Sequence, residues 1–410
     1  MDMEAIKLDC GMTAVLMPCE AESVAFGIFV GSGSRHETEK VAGISHLIEH
    51  MLFKGTKTRR AIDISRAIEG RGGNFNAYTS EDTTCFFAHL PNEYLADAIE
   101  ILADMYLRPE FPAEELEREK SVVVEEINMY ADDPDSVADE NLQRAIFPLN
   151  RLGAPIAGSA DSVRRMTSPL LRRYLASHYL PSNTTPVVAG SFDKAEAVRL
   201  LNRAFGRSLR KSAKMFSAEL VDFSIPPTAE VKTAKDVTQV KLSLGYRTFG
   251  LADPRKYAAS VMDSILGRGM SSRLFQEVRE KRALAYDISS HMHFFSDAGY
   301  FNVSSGMSAS NTGKALATIY REFDKICQKK VSKAELERTK EFMIGNFRLG
   351  HEKVLSKLLF AGMMYRAYGR IVTPREQVEC VRAVTADDVQ SVAQTIFAPA
   401  NRAVSWVVPK

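Results

Sequence analysis

His46-Leu-Ile-Glu49-His50 is the stretch of this sequence from which fold and function are most directly inferred. His46 and His50 are four residues apart, so on a helix they lie one turn apart on the same face. Glu49 comes one residue before His50 and lies on nearly the same side. Two neutral imidazoles can bind a zinc ion, and a neighbouring carboxylate can accept a proton from the water that zinc activates. This H-x-x-E-H motif therefore predicts a zinc-dependent peptidase.

A catalytic zinc ion also needs a third protein ligand and an open position for water. The helix predicted from Pro112 to Tyr130 carries two candidates, Glu125 and Glu126, directly after the apolar run Val122-Val-Val124. A carboxylate beside such a run needs a partner, and a metal ion would serve. Glu119 is seven residues before Glu126 and so lies on the same helix face. Spacing alone does not choose between Glu125 and Glu126, which could also form a solvated acidic pair.

Length and composition fit a folded protein of two domains. The chain has 410 residues, of which 45% are hydrophobic and 25% charged, and its net charge is +2. Lysine and arginine are scattered, so we expect neither a nucleic-acid partner nor an anionic membrane surface. Apolar runs are too short to span a bilayer, and the first residues lack the pattern of a signal peptide. Five dispersed cysteines without a C-x-x-C pair indicate reduced thiols, and we expect a cytoplasmic protein.

Two short segments recur in the second half of the chain. Glu115-Leu-Glu-Arg-Glu-Lys120 is echoed by Glu335-Leu-Glu-Arg-Thr-Lys340, about 220 residues later. Pro181-Ser-Asn183 is echoed by Pro399-Ala-Asn401 at nearly the same offset. Two matches at nearly one offset indicate a duplicated fold of about 200 residues.

The order of predicted elements indicates the fold class. Strands are followed by helices in each half, with the motif helix at about 42–53 and a helix at 271–281 in the second half. We therefore predict an α+β protein of two homologous domains, each an antiparallel sheet covered by helices. The predicted bounds are 1–206 for the zinc-binding domain, 207–230 for a linker and 231–410 for a homologous domain without the motif. Small, basic and proline residues mark the linker.

The chain resembles the M16 metallopeptidases, a family that includes pitrilysin, insulin-degrading enzyme and the mitochondrial processing peptidase. Besides the motif, the resemblance includes Leu8–Leu16, Gly33-Ser-Arg35 and Gly72–Thr79, and it covers nearly the whole chain. The length of two domains is similar to the bacterial M16B subgroup, in which such a chain is half of a clamshell. One departure is Cys10, where the family usually has asparagine.

The resemblance implies a complete zinc site with one ion per chain. In the family the third ligand is a glutamate 76 residues after the second histidine, which here is Glu126 rather than Glu125. By this resemblance His46, His50 and Glu126 are the ligands, Glu49 is the catalytic base, and Glu119 assists the site from outside the ligand set.

The second half lacks these groups. At the repeat offset, Glu126 corresponds to Asn346 and Glu119 to Thr339, so we expect no zinc there. In M16 proteins an arginine and a tyrosine seven residues apart on this half reach the substrate. Arg279 and Tyr286 match that spacing, and a phenol and a guanidinium can stabilise a developing oxyanion and anchor a peptide carbonyl. Arg282 is the nearest alternative for the arginine.

The resemblance also implies how substrate binds. Family members add the substrate as a strand at a sheet edge, matched here by Asn76-Ala77-Tyr78-Thr79, a mode that favours extended backbone. We therefore expect an endopeptidase for short or unfolded peptides in an enclosed chamber, built as a homodimer or with a paralogous M16 partner. Two alternatives stay open: a non-catalytic scaffold or peptide-binding subunit, and a chain that needs a partner for activity. The intact motif argues against the scaffold.

Overall fold

A computed structural model of the chain describes residues 3–206 and 218–410. Residues 207–217, which open the predicted linker at 207–230, lie outside the described residues. Eleven strands within the described ranges form two sheets. In chain order they are β1 (Glu4–Lys7), β2 (Thr13–Pro18), β3 (Ser23–Val30), β4 (Asn74–Thr79), β5 (Thr84–Pro91), β6 (Thr184–Gly190), β7 (Glu230–Lys235), β8 (Val240–Phe249), β9 (Asp287–Phe294), β10 (Ala298–Met307) and β11 (Arg402–Pro409).

Helices cover both sheets. The α-helices of the described residues are α1 (Ile44–Leu52), α2 (Ala61–Glu69), α3 (Leu95–Leu107), α4 (Ala113–Asp132), α5 (Pro134–Ile146), α6 (Ala160–Arg164), α7 (Ser168–His178), α8 (Lys194–Phe205), α9 (Lys256–Gly267), α10 (Thr312–Gln328), α11 (Lys333–Gly350), α12 (Val354–Tyr368), α13 (Pro374–Ala383) and α14 (Ala386–Ile396). None of these helices combines the length and the apolar character needed to cross a membrane.

The predicted α+β class with two homologous sheet-and-helix domains is confirmed. The strand order is β1-β2-β6-β3-β5-β4 in the first sheet and β7-β11-β8-β10-β9 in the second. Neighbouring strands are antiparallel except for one parallel pair in each sheet, β2 with β6 and β7 with β11. Each parallel pair joins strands far apart in the chain, so a local sequence pattern does not reveal it. The predicted helix at 271–281 is present in shorter form: residues 273–280 are helical, and Phe275–Glu280 of this run are π-helical.

Both faces of the first sheet are buried. On β3, Phe26 and Ile28 belong to the core cluster that includes Leu47 of α1. Phe29 points to the opposite face and shares a second cluster with Leu358 of α12. Because alternate residues of a strand point to opposite faces, a strand covered on both sides is apolar throughout. This explains why β3 carries no polar side chain after Ser23.

The chain forms two compact units that are each discontinuous in sequence. The first unit comprises Met1–Ile127, Pro155–Glu219 and Leu349–Thr373, and the second comprises Asn128–Ala154, Leu220–Arg348 and Pro374–Lys410. The first unit therefore contains α12 and the second contains α5, whereas the sequence predicts continuous domains at 1–206 and 231–410. The reason is packing: α12 covers β2, β3 and β6 of the first sheet, and α5 covers β8 and β11 of the second. The predicted bounds of the two homologous domains stay a prediction.

The internal repeat is visible in individual contacts. Lys120 of α4 is buried and donates to Glu117 at 2.7 Å and to the carbonyl of Arg164 at 3.2 Å. Lys340 of α11 is also buried, and it donates to Glu337 at 3.3 Å and to the carbonyl of Arg382 at 2.9 Å. A lysine at the same place in each copy thus links the long helix to a backbone carbonyl at the C-terminal end of another helix. The repeated sequence Glu-Leu-Glu-Arg-x-Lys has a repeated structural role.

A buried carboxylate fixes the start of α1. Glu37 is 3% exposed, and its two oxygens accept hydrogen bonds from the backbone amides of Gly43 at 2.7 Å and Ser45 at 2.8 Å. These amides are among the groups that a helix start leaves unpaired, and a negative charge there is favourable. Gly43 has φ +89°, and a Cβ atom on it would lie 2.3 Å from the carbonyl oxygen of Ala157. Only glycine fits this approach.

We expect Gly43→Ala to destabilise the fold by about 3 kcal/mol, since it adds left-handed strain and a clash with backbone. Gly72→Ala is the matched control: Gly72 has φ +73° but open space around its missing Cβ. It should cost only the strain, about 1 kcal/mol. Urea unfolding measures both, and equal losses for the two variants would contradict the close packing at Gly43.

Candidate metal centre

Three side chains from α1 and α4 meet at one point. His46 and His50 lie one turn apart on α1, with ring centroids 4.7 Å apart. Glu126 of α4 places Oε2 3.6 Å from Nε2 of His46 and 3.6 Å from Nε2 of His50. One ligand atom from each residue lies within 4.8 Å of the others. Among the described residues, these three form the group of histidine, cysteine and acidic side chains that could hold a metal ion.

The donor set fits zinc. Tetrahedral zinc with bonds of 2.0–2.1 Å places its ligand atoms about 3.4 Å apart, close to the two 3.6 Å separations at Glu126. Two imidazoles and one carboxylate are also a ligand set found in catalytic zinc sites. Glu125, the alternative that spacing left open, is exposed and lies outside the cluster. The predicted ligands His46, His50 and Glu126 are thus brought together.

Glu119 contacts the site from behind His50. Its Oε2 lies 3.2 Å from Nδ1 of His50, and its Oε1 lies 2.5 Å from Nζ of Lys54. A carboxylate at Nδ1 keeps the proton on that nitrogen, which leaves the Nε2 lone pair directed toward Glu126. Sequence reasoning missed Lys54. The available signal was its position four residues after His50, which places it on the same side of the helix end.

The predicted base Glu49 contacts the edge strand of the first sheet. Its Oε2 accepts a hydrogen bond of 2.5 Å from the hydroxyl of Thr79, the last residue of β4. The strand β4 contains Asn76 to Thr79 and pairs with β5 on one side only, so its other edge is open within the described sheet. Thr79, predicted as part of a substrate-binding strand, therefore also orients Glu49.

Burial and charge shift the ionisation of the cluster. Burial raises the pKa of Glu49, although the hydrogen bond from Thr79 opposes this. Burial, together with the neighbouring His50, lowers the pKa of His46 to about 4, so its ring is neutral near pH 7. Burial also lowers the pKa of His50, but the hydrogen bond to Glu119 and the nearby carboxylates outweigh it, so that this pKa is raised. Several carboxylates around two imidazoles form a site that favours a cation.

Arg279 and Tyr286 lie in the second unit and contact each other. The guanidinium carbon of Arg279 is 4.7 Å from the ring centroid of Phe275 and 5.6 Å from that of Tyr286. The side chain of Tyr286 is 75% exposed. Both residues line a cavity of about 420 Å³ that also includes Met307. An arginine held between aromatic rings keeps its charged group oriented while it stays accessible.

Arg282, the alternative to Arg279, is engaged locally. It donates to both the backbone carbonyl of Glu277 at 2.8 Å and the carboxylate of Glu277 at 2.5 Å. Hydrogen bonds from Lys281 and Arg282 hold the pKa of Glu277 at about 2. The nearest carboxylate of Arg279 is that of Glu280, at 3.9 Å. The carboxylate next to Arg279 is thus 1.4 Å farther away than the one that Arg282 contacts, so Arg279 is the less engaged of the two arginines.

The matching family models and similar curated proteins agree on one family of peptidases. Residues 15–160 match the family model "Insulinase (Peptidase family M16)", and residues 165–343 match "Peptidase M16 inactive domain". A Bacillus subtilis protein named as an uncharacterized zinc protease, YmxG, is 34% identical over 375 residues, which cover 92% of this chain and 90% of that protein. A similarly named zinc protease of Streptomyces coelicolor is 33% identical over 385 residues, 92% of this chain and 83% of that protein.

Solved structures show the same fold. A protease from Helicobacter pylori superposes with a TM-score of 0.93 at 20% identity, covering 100% of this chain and 99% of that chain. A Pseudomonas fluorescens structure described as a peptidase M16 inactive domain superposes with a TM-score of 0.91 at 18% identity, with coverage of 100% and 99%. At these identities the likeness concerns the fold alone.

We expect zinc to raise the melting temperature of metal-free protein, since a ligand at a thousand times its dissociation constant stabilises the folded state by about 4 kcal/mol. Glu126→Gln should lose most of this rise. Glu125→Gln, which removes the neighbouring exposed carboxylate, should keep it. Thermal unfolding with and without zinc measures the effect, and an equal response of the two variants would contradict the assignment of Glu126.

Glu119→Gln should weaken zinc binding by about 10- to 100-fold, because His50 loses the carboxylate that orients it. Competition with a chromophoric chelator measures the affinity, and Glu125→Gln again serves as the control. An unchanged affinity for Glu119→Gln would show that Glu119 has no part in holding the metal.

Proposed function

We propose that this chain, which belongs to peptidase family M16, is a zinc-dependent endopeptidase that hydrolyses short or unfolded peptides. The observation that carries the proposal is the convergence of His46, His50 and Glu126 at 3.6 Å separations, with the carboxylate of Glu49 on the same helix. The names of the relatives, which are zinc proteases, support zinc as the metal. We propose one ion per chain.

The chain's own groups have distinct tasks in this reaction. A bound zinc ion would supply Lewis-acid activation of water and of the scissile carbonyl. Glu49 accepts the proton of the attacking water and gives it to the departing amine, and its raised pKa suits a group that must do both near neutral pH. Thr79 holds the carboxylate of Glu49 in one orientation. Glu119 keeps His50 in the tautomer that can bind metal.

The open edge of β4 supports the proposed class of substrate. A peptide that pairs with Asn76, Ala77, Tyr78 and Thr79 would extend the first sheet and bring its backbone next to Glu49. Such pairing requires an extended, unfolded segment. Enclosure of the substrate in a chamber, a cytoplasmic location, and a homodimer or paralogous partner stay predictions.

We propose that Arg279 and Tyr286 assist the reaction by contacting the substrate. The exposed phenol of Tyr286 can donate to a developing oxyanion, and Arg279 can anchor a peptide carbonyl. The stacking of Arg279 between Phe275 and Tyr286 supports this role, since it fixes the guanidinium without using its hydrogen-bond donors.

One alternative is a non-catalytic subunit that binds peptides or a partner. The match to an inactive-domain description favours it in principle, but that match covers residues 165–343 and leaves out the motif. Asn346 and Thr339 stand at the repeat positions of Glu126 and Glu119, so it is the second copy that lacks these two carboxylates. A further alternative is a chain that needs a partner for activity, which an assay of the purified single chain decides.

Glu49→Gln should bind zinc normally but lose peptide hydrolysis by a factor of about 10² to 10⁴, because the proton carrier is gone while the ligands remain. Metal analysis and cleavage of a quenched fluorogenic peptide measure the two properties, with Glu125→Gln as the control. Unchanged hydrolysis in Glu49→Gln would remove Glu49 from the mechanism. Absence of zinc and of chelator-sensitive cleavage in the unaltered protein would favour the non-catalytic alternative.

Tyr286→Phe should lower kcat by about 10² with little change in KM, since the lost donor acts mainly as charge develops. Arg279→Lys should also lower kcat/KM, because an ammonium does not reproduce the planar stacked group. Arg282→Lys is the matched control and should retain activity. Steady-state kinetics on one peptide test all three, and a larger effect at Arg282 than at Arg279 would reverse the assignment.

A further inference from the structure

Cys19 and Lys357 form a close contact in the first unit that peptide hydrolysis does not use. Nζ of Lys357 donates to Sγ of Cys19 at 3.3 Å, although the two residues are 338 positions apart in the chain. Cys19 directly follows β2, and Lys357 lies in the first turn of α12. The contact therefore joins the first sheet to the helix that covers it.

The environment of Lys357 is unusual for an amine. Lys357 is only 6% exposed. Its amine donates a hydrogen bond to the sulfur of Cys19, and among the described residues no carboxylate forms an ion pair with it. A buried ammonium is costly unless it is paired, and a thiol compensates it poorly. The amine is thus directed at a sulfur atom.

Both groups are held in place by backbone contacts. The amide of Cys19 donates to the carbonyl of Gly190 in β6 at 2.8 Å. The amide of Lys357 donates to the carbonyl of Lys353 at 3.2 Å, and α12 packs on β2, β3 and β6. Two reactive groups held within contact distance on packed elements react far faster than free groups in solution.

We propose that Cys19 and Lys357 form a covalent cross-link when the protein meets a peroxide. Cys19 is partly exposed, so a peroxide can reach its sulfur, and Nζ of Lys357 lies in contact with that sulfur. Hydrogen peroxide first oxidises the thiol to a sulfenic acid: one peroxide oxygen bonds to sulfur, the O–O bond breaks, and the other oxygen leaves as water.

The second step forms the bond between the side chains. Lys357 releases a proton to solvent, and the lone pair of its neutral amine attacks the sulfenyl sulfur. The S–O bond breaks, the oxygen leaves as water with the proton that nitrogen gives up, and an N–S bond remains. The net change is the loss of two hydrogens to one peroxide. A dithiol reductant reverses the change by returning two electrons and becoming a disulfide.

The cross-link would attach α12 covalently to the end of β2 in the first sheet. Residues Leu349–Thr373 belong to this unit but are far in sequence from its other segments, and α12 is held on the sheet by packing. A bond between Cys19 and Lys357 closes a loop that spans most of the chain, which restricts the unfolded state. The oxidised protein should therefore melt at a higher temperature than the reduced protein.

Peptide mapping of the full-length chain tests the proposal. Reduced protein is treated with hydrogen peroxide, free thiols are alkylated, and the protease digest is examined by mass spectrometry. We expect a cross-linked pair of peptides containing Cys19 and Lys357, about 2 Da lighter than their sum and lost on treatment with dithiothreitol. Cys19→Ser and Lys357→Arg should abolish it, whereas Cys10→Ser and Lys353→Arg should not.

Two results would overturn the proposal: recovery of Cys19 only as alkylated thiol or as a dimedone-trapped sulfenic acid, and a cross-link to a lysine other than Lys357. The measurement on the unaltered protein is decisive even if Lys357→Arg fails to fold. Because the mass readout needs neither zinc nor peptide cleavage, its failure would leave the proposed peptidase function untouched.

Discussion

The site depends on one interaction between two helices, the approach of carboxylates on α4 to the imidazoles on α1. Oε2 of Glu126 lies 3.6 Å from Nε2 of each imidazole, and Oε2 of Glu119 lies 3.2 Å from Nδ1 of His50. Partly buried carboxylates without a cation raise the free energy of the folded state, and a divalent ion among them lowers it. The same arrangement would attract a metal ion, and an ion held there would activate water beside Glu49.

The rest of the first unit holds these two helices in position. Glu37 fixes the start of α1 through two backbone amides, and Gly43 allows the chain to pass close to Ala157. Buried Lys120 fastens α4 to the chain near Arg164. Lys340 repeats that contact in the second copy, where Asn346 stands at the repeat position of Glu126, so the packing of the long helix recurs without the carboxylate. The second copy instead presents Arg279 and Tyr286.

Local periodicity accounts for what could be predicted from the sequence. Spacing of four residues placed His46 and His50 on one face, and spacing of seven related Glu119 to Glu126. The choice of Glu126 over Glu125 needed the family resemblance, since both follow the same apolar run. The contacts of Lys54 with Glu119 and of Thr79 with Glu49 join residues on separate elements, so no local pattern predicts them. The parallel strand pairs also join residues far apart in the chain, and so does the packing that makes α12 part of the first unit. No local sequence pattern predicts either of them.

Locating the metal in the folded chain tests whether His46, His50 and Glu126 bind one zinc ion. Crystals of the zinc-loaded chain, measured on both sides of the zinc absorption edge, would show the ion by its anomalous scattering. We expect one site per chain, with Nε2 of His46, Nε2 of His50 and a carboxylate oxygen of Glu126 each about 2.0–2.2 Å from the ion. An ion bound elsewhere, or bound to the two histidines with Glu126 out of bonding distance, would contradict this expectation.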